Sequence, residues 1–267
     1  MTLSVPIIAR NVVKLRYPLD RVVRSVVGLA DEVVLLVDPT SVDDSLEYCY
    51  DLLLEINSYT KVHGTKVKMF ESAWDLTNIS STGAEFARQT NIALALCEGD
   101  FILSLQCDEA MHEKDFDAIR NLMKLASVSN VSAYSMVRIY FYGDIDTVRD
   151  DWTVPIIRLF KRGTRESCGD AMNTSGSGRV ENSDVKIYHY SRIGDPEIIS
   201  KRIWSLDKLF HSSDKLLSEE ELQPYDFSTH NFDCTHRDTV DVGRKEVTGE
   251  FSIYVGTHPG PFINYCE

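Results

Sequence analysis

The stretch Glu98-Gly99-Asp100-Phe101-Ile102-Leu103-Ser104-Leu105-Gln106-Cys107-Asp108-Glu109 constrains this chain more than any other. A Gly-Asp break, a short apolar run and a polar, acidic exit describe a buried strand that delivers Asp108 and Glu109 to the carboxyl edge of a sheet. Open α/β sheets place their ligand chemistry at that edge. Two neighbouring carboxylates there can hold a divalent cation against a diphosphate, because hard oxygen ligands suit Mg²⁺ or Mn²⁺ and phosphate oxygens complete the shell. The plainer reading has the same acids opening the next helix, where negative charge meets the positive end of the helix dipole.

The segments around that stretch alternate in period. Leu3 to Ala9 reads as a first strand closed by Arg10-Asn11. Val22, Val23, Val26 and Val27 repeat at helical spacing after Asp20, and Gly28 ends that helix. Glu32 to Val37 is a second, continuous apolar strand. The loop Asp38 to Ser45 follows, then a helix with Leu46, Cys49, Tyr50, Leu53 and Ile56 on its inner face. Lys66 to Phe70 predicts a third strand. Ala84 to Cys97 predicts a helix with Ala87, Asn91, Leu94 and Ala95 toward the sheet. Such β-α-β alternation demands parallel neighbours joined by helical crossovers. The expected fold class is α/β, a single domain with a mostly parallel, doubly wound sheet.

After a helix around Phe116 to Ala126 the pattern changes to strands at Ala133 to Tyr142, Pro155 to Lys161 and Val185 to Tyr190, with polar loops between them. Asp195-Pro196-Glu197 is a helix start, an N-cap acid followed by Pro and a second acid. Ile199, Ile203, Leu206 and Phe210 form one apolar face behind it, as a core-facing helix does. Ser212 to Glu250 is polar and irregular, and Phe251 to Val255 is a last apolar run.

With 28 Lys+Arg against 41 Asp+Glu, the formal net charge of −13 offers no global attraction for nucleic acid or an anionic membrane. No run approaches the roughly 20 apolar residues of a membrane span, and the N-terminus lacks a signal-peptide pattern. Cys49, Cys97, Cys107, Cys168, Cys234 and Cys266 show no C-x-x-C pairing, which argues against zinc and disulfide frameworks. We read a soluble chain of a reducing, cytoplasmic compartment, in which the N-x-S/T matches at Asn78, Asn130 and Asn173 are chance occurrences. No G-x-G-x-x-G or G-x-x-x-x-G-K-[ST] follows the first strand, and Gly176-Ser177-Gly178 reads as a flexible loop.

Four separated pieces together resemble family-2 glycosyltransferases of the GT-A fold, in a microbial and phage branch. They are Val33 to Ser45; Arg88 to Ala93 with Gly99 to Leu105; Arg158 to Lys161 with Cys168 to Ala171 and Ile187 to Arg192; and Gly256-Thr257-His258-Pro259. The resemblance implies a GT-A-like catalytic domain over 1–195. Its nucleotide-sugar-binding half would be 1–110, its mixed acceptor half 111–195, and 196–267 a C-terminal helix and extension packed on the same domain. It implies a nucleotide-sugar site at Ala9, Arg10, Asp38, Arg88, Gln106, Cys107 and Asp108, with Asp38 on the uracil or ribose and Arg88 near the base or phosphates. Mn²⁺ or Mg²⁺ would be held by Asp108 and His189, with Asp170 as the base that takes the acceptor proton and His258 reaching toward the diphosphate. Gln106 stands where the family's acidic motif usually begins with Asp, and an amide supplies no charge to a cation.

Each residue also has a structural reading. Asp38 can be a turn acid before Pro39, Arg88 a solvated helix charge, and His189 a ring packed between tyrosines. Asp170 can be a cap, and Trp74, Trp152 and Tyr142, which could stack on sugar faces, can be packing aromatics. The expected function is inverting, metal-dependent transfer from a UDP-sugar to a glycan, small molecule, protein or modified DNA base. The alternatives are a sugar-nucleotide nucleotidyltransferase, whose glycine-rich loop is missing at Arg10-Asn11-Val12-Val13, and a catalytically weak nucleotide-sugar-binding protein.

Overall fold

A computed structural model describes residues 1–60, 64–77, 79–80, 82–228, 235 and 251–262. Asn78, Cys234, Cys266 and residues 236–250 of the polar stretch lie outside the described residues. The first half is β1 (Leu3–Ala9), α1 (Leu19–Val26), β2 (Glu32–Val37), α2 (Ser45–Thr60), β3 (Lys66–Glu71), α3 (Ala84–Ala95) and β4 (Phe101–Leu103). Then come β5 (Glu109–Ala110), α4 (Phe116–Ser127), β6 (Val131–Arg149), β7 (Pro155–Lys161), β8 (Arg165–Cys168), β9 (Asn173–Gly176), β10 (Arg179–Ile193), α5 (Pro196–Asp207) and β11 (Phe251–Ile253).

The main sheet runs β3-β2-β1-β4-β7-β6-β10-β5, with β11 added along the far end of β6. β1, β2, β3 and β4 are parallel. β7 is antiparallel to both β4 and β6, and β10 is parallel to β6, so β6 and β10 point the same way as the first four strands. This is the expected single α/β domain, mostly parallel and mixed in its second half. All six residues of β2 are buried, as a strand covered on both faces requires. The hairpin β8–β9 lies apart from the sheet and is tied to α3 by Asn91, whose amide exchanges hydrogen bonds with the Ser167 backbone at 2.7 and 3.0 Å.

Glycine is required at the head of β4. A Cβ on Gly99 would stand 2.7 Å from the Ser4 nitrogen, so only Gly lets the β4 entry pass against β1. At α5 the Asp195 carboxylate accepts the Glu197 N–H at 2.8 Å, the expected cap, and Pro196 opens the first turn. Ile199 and Ile203 are buried with Tyr140, Tyr142 and Tyr225, which fixes α5 to the sheet face of β6.

Three helix faces differ from expectation; on α5, Leu206 is 38% exposed and Phe210 lies beyond the helix end, so only Ile199 and Ile203 of the expected face are buried. On α2, Cys49 and Ile56 are buried, but Tyr50 is 45% exposed and Leu52 takes its place inside. On α3 the buried residues include Ala87, Gln89, Thr90 and Ala93, while Asn91 and Leu94 are half-buried and Ala95 is exposed. Asn91 is drawn aside by the β8 backbone, so the helix turns its smaller side chains to β1. Among the described residues no helix is long and apolar enough to cross a membrane.

Candidate active site

The carboxyl ends of β1 and β4, the parallel pair β6 and β10, the loop between β8 and β9, and α5 enclose a cavity of about 350 Å³. Ile8, Arg10, Gln106, Cys107, Asp108, Arg138, Tyr140, Asp170, Met172, His189, Ser191 and Arg192 line it, with Trp74 and Phe86 on one side and Ser205, Leu206 and Leu209 on another.

Asp108 is delivered as the sequence predicts, but its neighbour is not. Asp108 is 6% exposed and its Oδ1 lies 3.5 Å from Nε2 of His189. The strands hold this pair: His189 stands opposite Glu109 in the β5–β10 ladder, and the Tyr190 N–H donates to the Asp108 carbonyl at 2.9 Å. Burial alone would push the Asp108 carboxyl up, but the His189 and Arg202 side chains beside it outweigh burial and hold it below the usual carboxylate range. Glu109 points away from the cavity. Both its oxygens are gripped by the fully buried Arg158, at 2.9 and 3.0 Å, so it cannot serve as the second cation ligand suggested by its adjacency to Asp108.

Asp38 and Arg10 divide one role between them. Asp38 is fully buried. One oxygen accepts from Arg10 Nε at 2.9 Å; the other accepts from the Thr40 hydroxyl and amide, at 2.7 and 2.9 Å, and from the Trp74 amide. The group that reaches the cavity is therefore the Arg10 guanidinium, 5.7 Å from the centre of the Trp74 ring. Ala9, buried at the end of β1, supports that turn.

Asp170 lines the cavity, its carboxylate accepting from the Met172 amide at 3.1 Å, in a turn where Gly169 and Ala171 both have positive φ. Gln106 and Cys107 line the cavity as well. Burial, reinforced by Asp108, pushes the Cys107 thiol up, which makes it a neutral wall group.

Four expected residues lie elsewhere. Arg88 is engaged by Glu85 and the Ala73 carbonyl on the outer side of α3 and does not line the cavity. His258 is on the opposite sheet face, packed on Phe141 and hydrogen-bonded to the Tyr190 hydroxyl at 2.9 Å, so it does not reach the cavity. Tyr142 and Trp152 pack against one another outside it, whereas Trp74 meets Phe86 edge-on inside it.

The chemistry of the donor set defines what cation it fits. Asp108 offers oxygen and His189 nitrogen, and the buried Nδ1 of His189 has no hydrogen-bond partner. Among the described residues no three His, Cys, Asp or Glu side chains cluster as a metal cage. The pair therefore fits Mn²⁺ or Mg²⁺ shared with ligand phosphate oxygens, where one or two protein ligands suffice, and does not fit an all-protein site.

No family model matches the chain, and no curated protein matches it. Among solved structures it is similar to TarS of S. aureus, at 15% identity over 82% of this chain and 68% of that one, with a TM-score of 0.43. It is similar to the mannosyltransferase PcManGT from Pyrobaculum calidifontis in complex with GDP-Man and Mn²⁺, at 14% identity over 70% and 56% of the two chains, TM-score 0.44. It is also similar to glucosyl-3-phosphoglycerate synthase from Mycobacterium tuberculosis in complex with Mg²⁺ and UDP, at 13% identity over 81% and 82%, TM-score 0.38.

The sequence reading missed Arg138, Arg192 and Arg202. Arg138 and Arg192 come from β6 and β10, and a bulge explains the second. His189 pairs with Tyr140 and Arg192 with Tyr142, three steps against two, so Arg192 is turned to the same face as His189 and Ser191. Arg202 is a clamp: its guanidinium donates to the carbonyls of Leu15, Arg16, Ser191 and Ile193, fastening the loop after β1 to the end of β10. The available signal was an arginine interrupting an otherwise apolar strand or helix face, a position that is costly unless the charge is used.

Proposed function

We propose that this chain is a glycosyltransferase that moves a sugar from a nucleoside diphosphate sugar, of which a UDP-sugar is the expected donor, to an acceptor hydroxyl with inversion at the anomeric carbon. The observation that carries the reading is the Asp108–His189 pair, 3.5 Å apart, in a cavity that also holds the carboxylate of Asp170 and the guanidinium of Arg10. Cys107, kept as a thiol by burial, offers no thiolate nucleophile for a covalent route.

In this reading Trp74 and Phe86 receive the base or ribose and Arg10, braced by Asp38, meets the diphosphate. Asp108 and His189 hold Mn²⁺ or Mg²⁺, which when bound supplies Lewis-acid stabilisation of the leaving diphosphate. Asp170 takes the proton from the acceptor hydroxyl as its oxygen bonds to the anomeric carbon and the bond from that carbon to the diphosphate oxygen breaks. Attack from the side opposite the leaving group gives inversion. The test is release of nucleoside diphosphate from a panel of UDP- and GDP-sugars, with and without Mn²⁺, alongside mass spectrometry of candidate acceptors. Metal-stimulated release supports the reading; calorimetry showing no affinity for UDP, GDP or their sugars overturns it. Binding without release would favour the catalytically weak binding protein, for which Gln106 in place of an acid is the one specific indication.

A further inference from the structure

The cavity carries more positive charge than a donor and its cation require. Arg10, Arg138, Arg192 and Arg202 stand against Asp38, Asp108 and Asp170, and a divalent cation and the diphosphate of a nucleotide sugar cancel one another. Arg138 and Arg192 have no carboxylate hydrogen-bond partner among the described residues; their guanidiniums rest over the Tyr140 and Tyr225 rings, 5.4 and 5.8 Å from the centres. Arg192 is 8% exposed, its Nε has no partner, and its guanidinium makes no hydrogen bond among the described residues. The ionisable groups whose fields act on it are the phenols of Tyr140, Tyr225, Tyr17 and Tyr142, none of them a carboxylate. Arg138 is 7% exposed, its Nε is likewise unpartnered, and its one hydrogen bond runs from Nη1 to the Met172 sulfur, a weak acceptor, at 3.0 Å. The carboxylates whose charge reaches it are Glu109, already held by Arg158, and Asp108, paired with His189.

Two buried guanidinium groups that meet only aromatic faces and a thioether keep most of their hydrogen-bonding capacity free for the oxygens of a ligand. Both come from the β6–β10 side of the cavity, Arg10 from the end of β1, and Tyr140 and Ser191 line it with them, their hydroxyls 2.6 Å apart. Through Met172 the Arg138 side chain is adjacent to the loop that presents Asp170.

We infer that Arg138 and Arg192 form a subsite for a phosphoryl group on the acceptor, so that the acceptor is a phosphorylated molecule whose free hydroxyl is turned to Asp170. This deepens the glycosyl-transfer reading and rests on it for the word acceptor, while the anion subsite itself rests on the two arginines alone. Two guanidinium forks lining one cavity from adjacent strands suit the several oxygens of a phosphoryl group better than a single carboxylate.

The test uses the whole chain with inorganic phosphate as the probe and sodium acetate as the carboxylate comparison, by calorimetry, first on protein saturated with UDP and then without it. Phosphate is expected to bind the UDP-loaded protein and to bind more tightly than acetate. Arg192→Gln and Arg138→Gln are each expected to weaken phosphate at least about tenfold, the loss of a charge-assisted contact, while UDP affinity moves far less; Arg192→Lys recovers part of the phosphate affinity. Phosphate that competes with UDP, or variants in which both affinities fall together, would assign the arginines to the donor diphosphate and overturn the inference. So would acetate binding as tightly as phosphate, or wild-type protein that takes up no phosphate in either state, a reading that does not depend on how the variants fold. If UDP itself fails to bind while phosphate binding persists and is lost in Arg192→Gln, the glycosyl-transfer reading fails and the anion subsite stands.

Discussion

Asp108 and His189 meet at 3.5 Å because the two-residue strand β5 pairs antiparallel with β10, so a carboxylate from the first half of the chain and an imidazole from the second are placed by one short ladder. Neither position is adjustable without the other.

Asp108→Ala is expected to abolish transfer and to remove the response to Mn²⁺, since only His189 would remain as a cation ligand. Release of UDP measured over a Mn²⁺ titration checks this; a variant with wild-type metal stimulation would exclude Asp108 from the cation site. The depressed Asp108 carboxyl also contributes stability at neutral pH that is lost as the pH falls below about 4, its unfolded-state value.

Asp170→Asn keeps the shape of the turn and its contact with the Met172 amide but cannot accept a proton. Donor affinity should stay close to wild type while turnover falls by roughly 10²–10⁴, the usual contribution of a general base. Near wild-type kcat would show that another group removes the proton.

The Glu109–Arg158 pair is structural. Arg158→Met would leave a buried carboxylate without its partner and is expected to cost on the order of 3–5 kcal/mol, whereas Glu109→Leu combined with Arg158→Met should recover much of that loss. Denaturant titration distinguishes the two. Burial raises the Glu109 carboxyl and Arg158 more than reverses it, so this stability is present above about pH 4.3 and declines as the pH drops through the depressed folded value.

His112 and His258 fasten the 251–262 segment to the domain, His112 through the Thr257 hydroxyl at 2.7 Å and His258 through Tyr190. Burial holds both imidazoles below the ordinary value. A histidine kept neutral in the fold binds fewer protons than the unfolded chain, so its stability is complete above about pH 6.5 and is lost as the pH falls below it. Amide exchange at β11 and at Tyr254, whose N–H bonds the Asp146 carbonyl, should be more protected at about pH 7.5 than at about pH 5.5 after correction for intrinsic rates. Equal protection at both would disprove the link.

Much of the architecture was legible because buried strands leave continuous apolar runs. Glu32–Val37 and Pro155–Lys161 have the same bounds in sequence and structure. β6 was foreshortened because its last residues, Thr147 to Arg149, owe their extended form to β11, a partner about a hundred positions away that local pattern does not reveal. Asp108, Asp170 and His189 were readable as acids and an imidazole at strand ends and in a glycine turn. That Asp108 faces the cavity and Glu109 faces Arg158 depends on strand alternation and on a distant guanidinium. Arg138 and Arg192 carry no motif, and their meaning appears only when burial shows that their charge has no acceptor.

The single extra residue in β10 between His189 and Arg192 has a consequence for how this site can change. Substitutions at Tyr190 or Ser191 leave the strand's length alone, and deleting one of them would remove the bulge while leaving the arginine two steps beyond His189, on the same face and still opposite Tyr142; losing both would carry the guanidinium through to the face that holds Phe141 and Phe262. The imidazole and the arginine are thus coupled by a count, not by a contact: a descendant of this chain could lose one residue between them and keep both in the cavity, but not two.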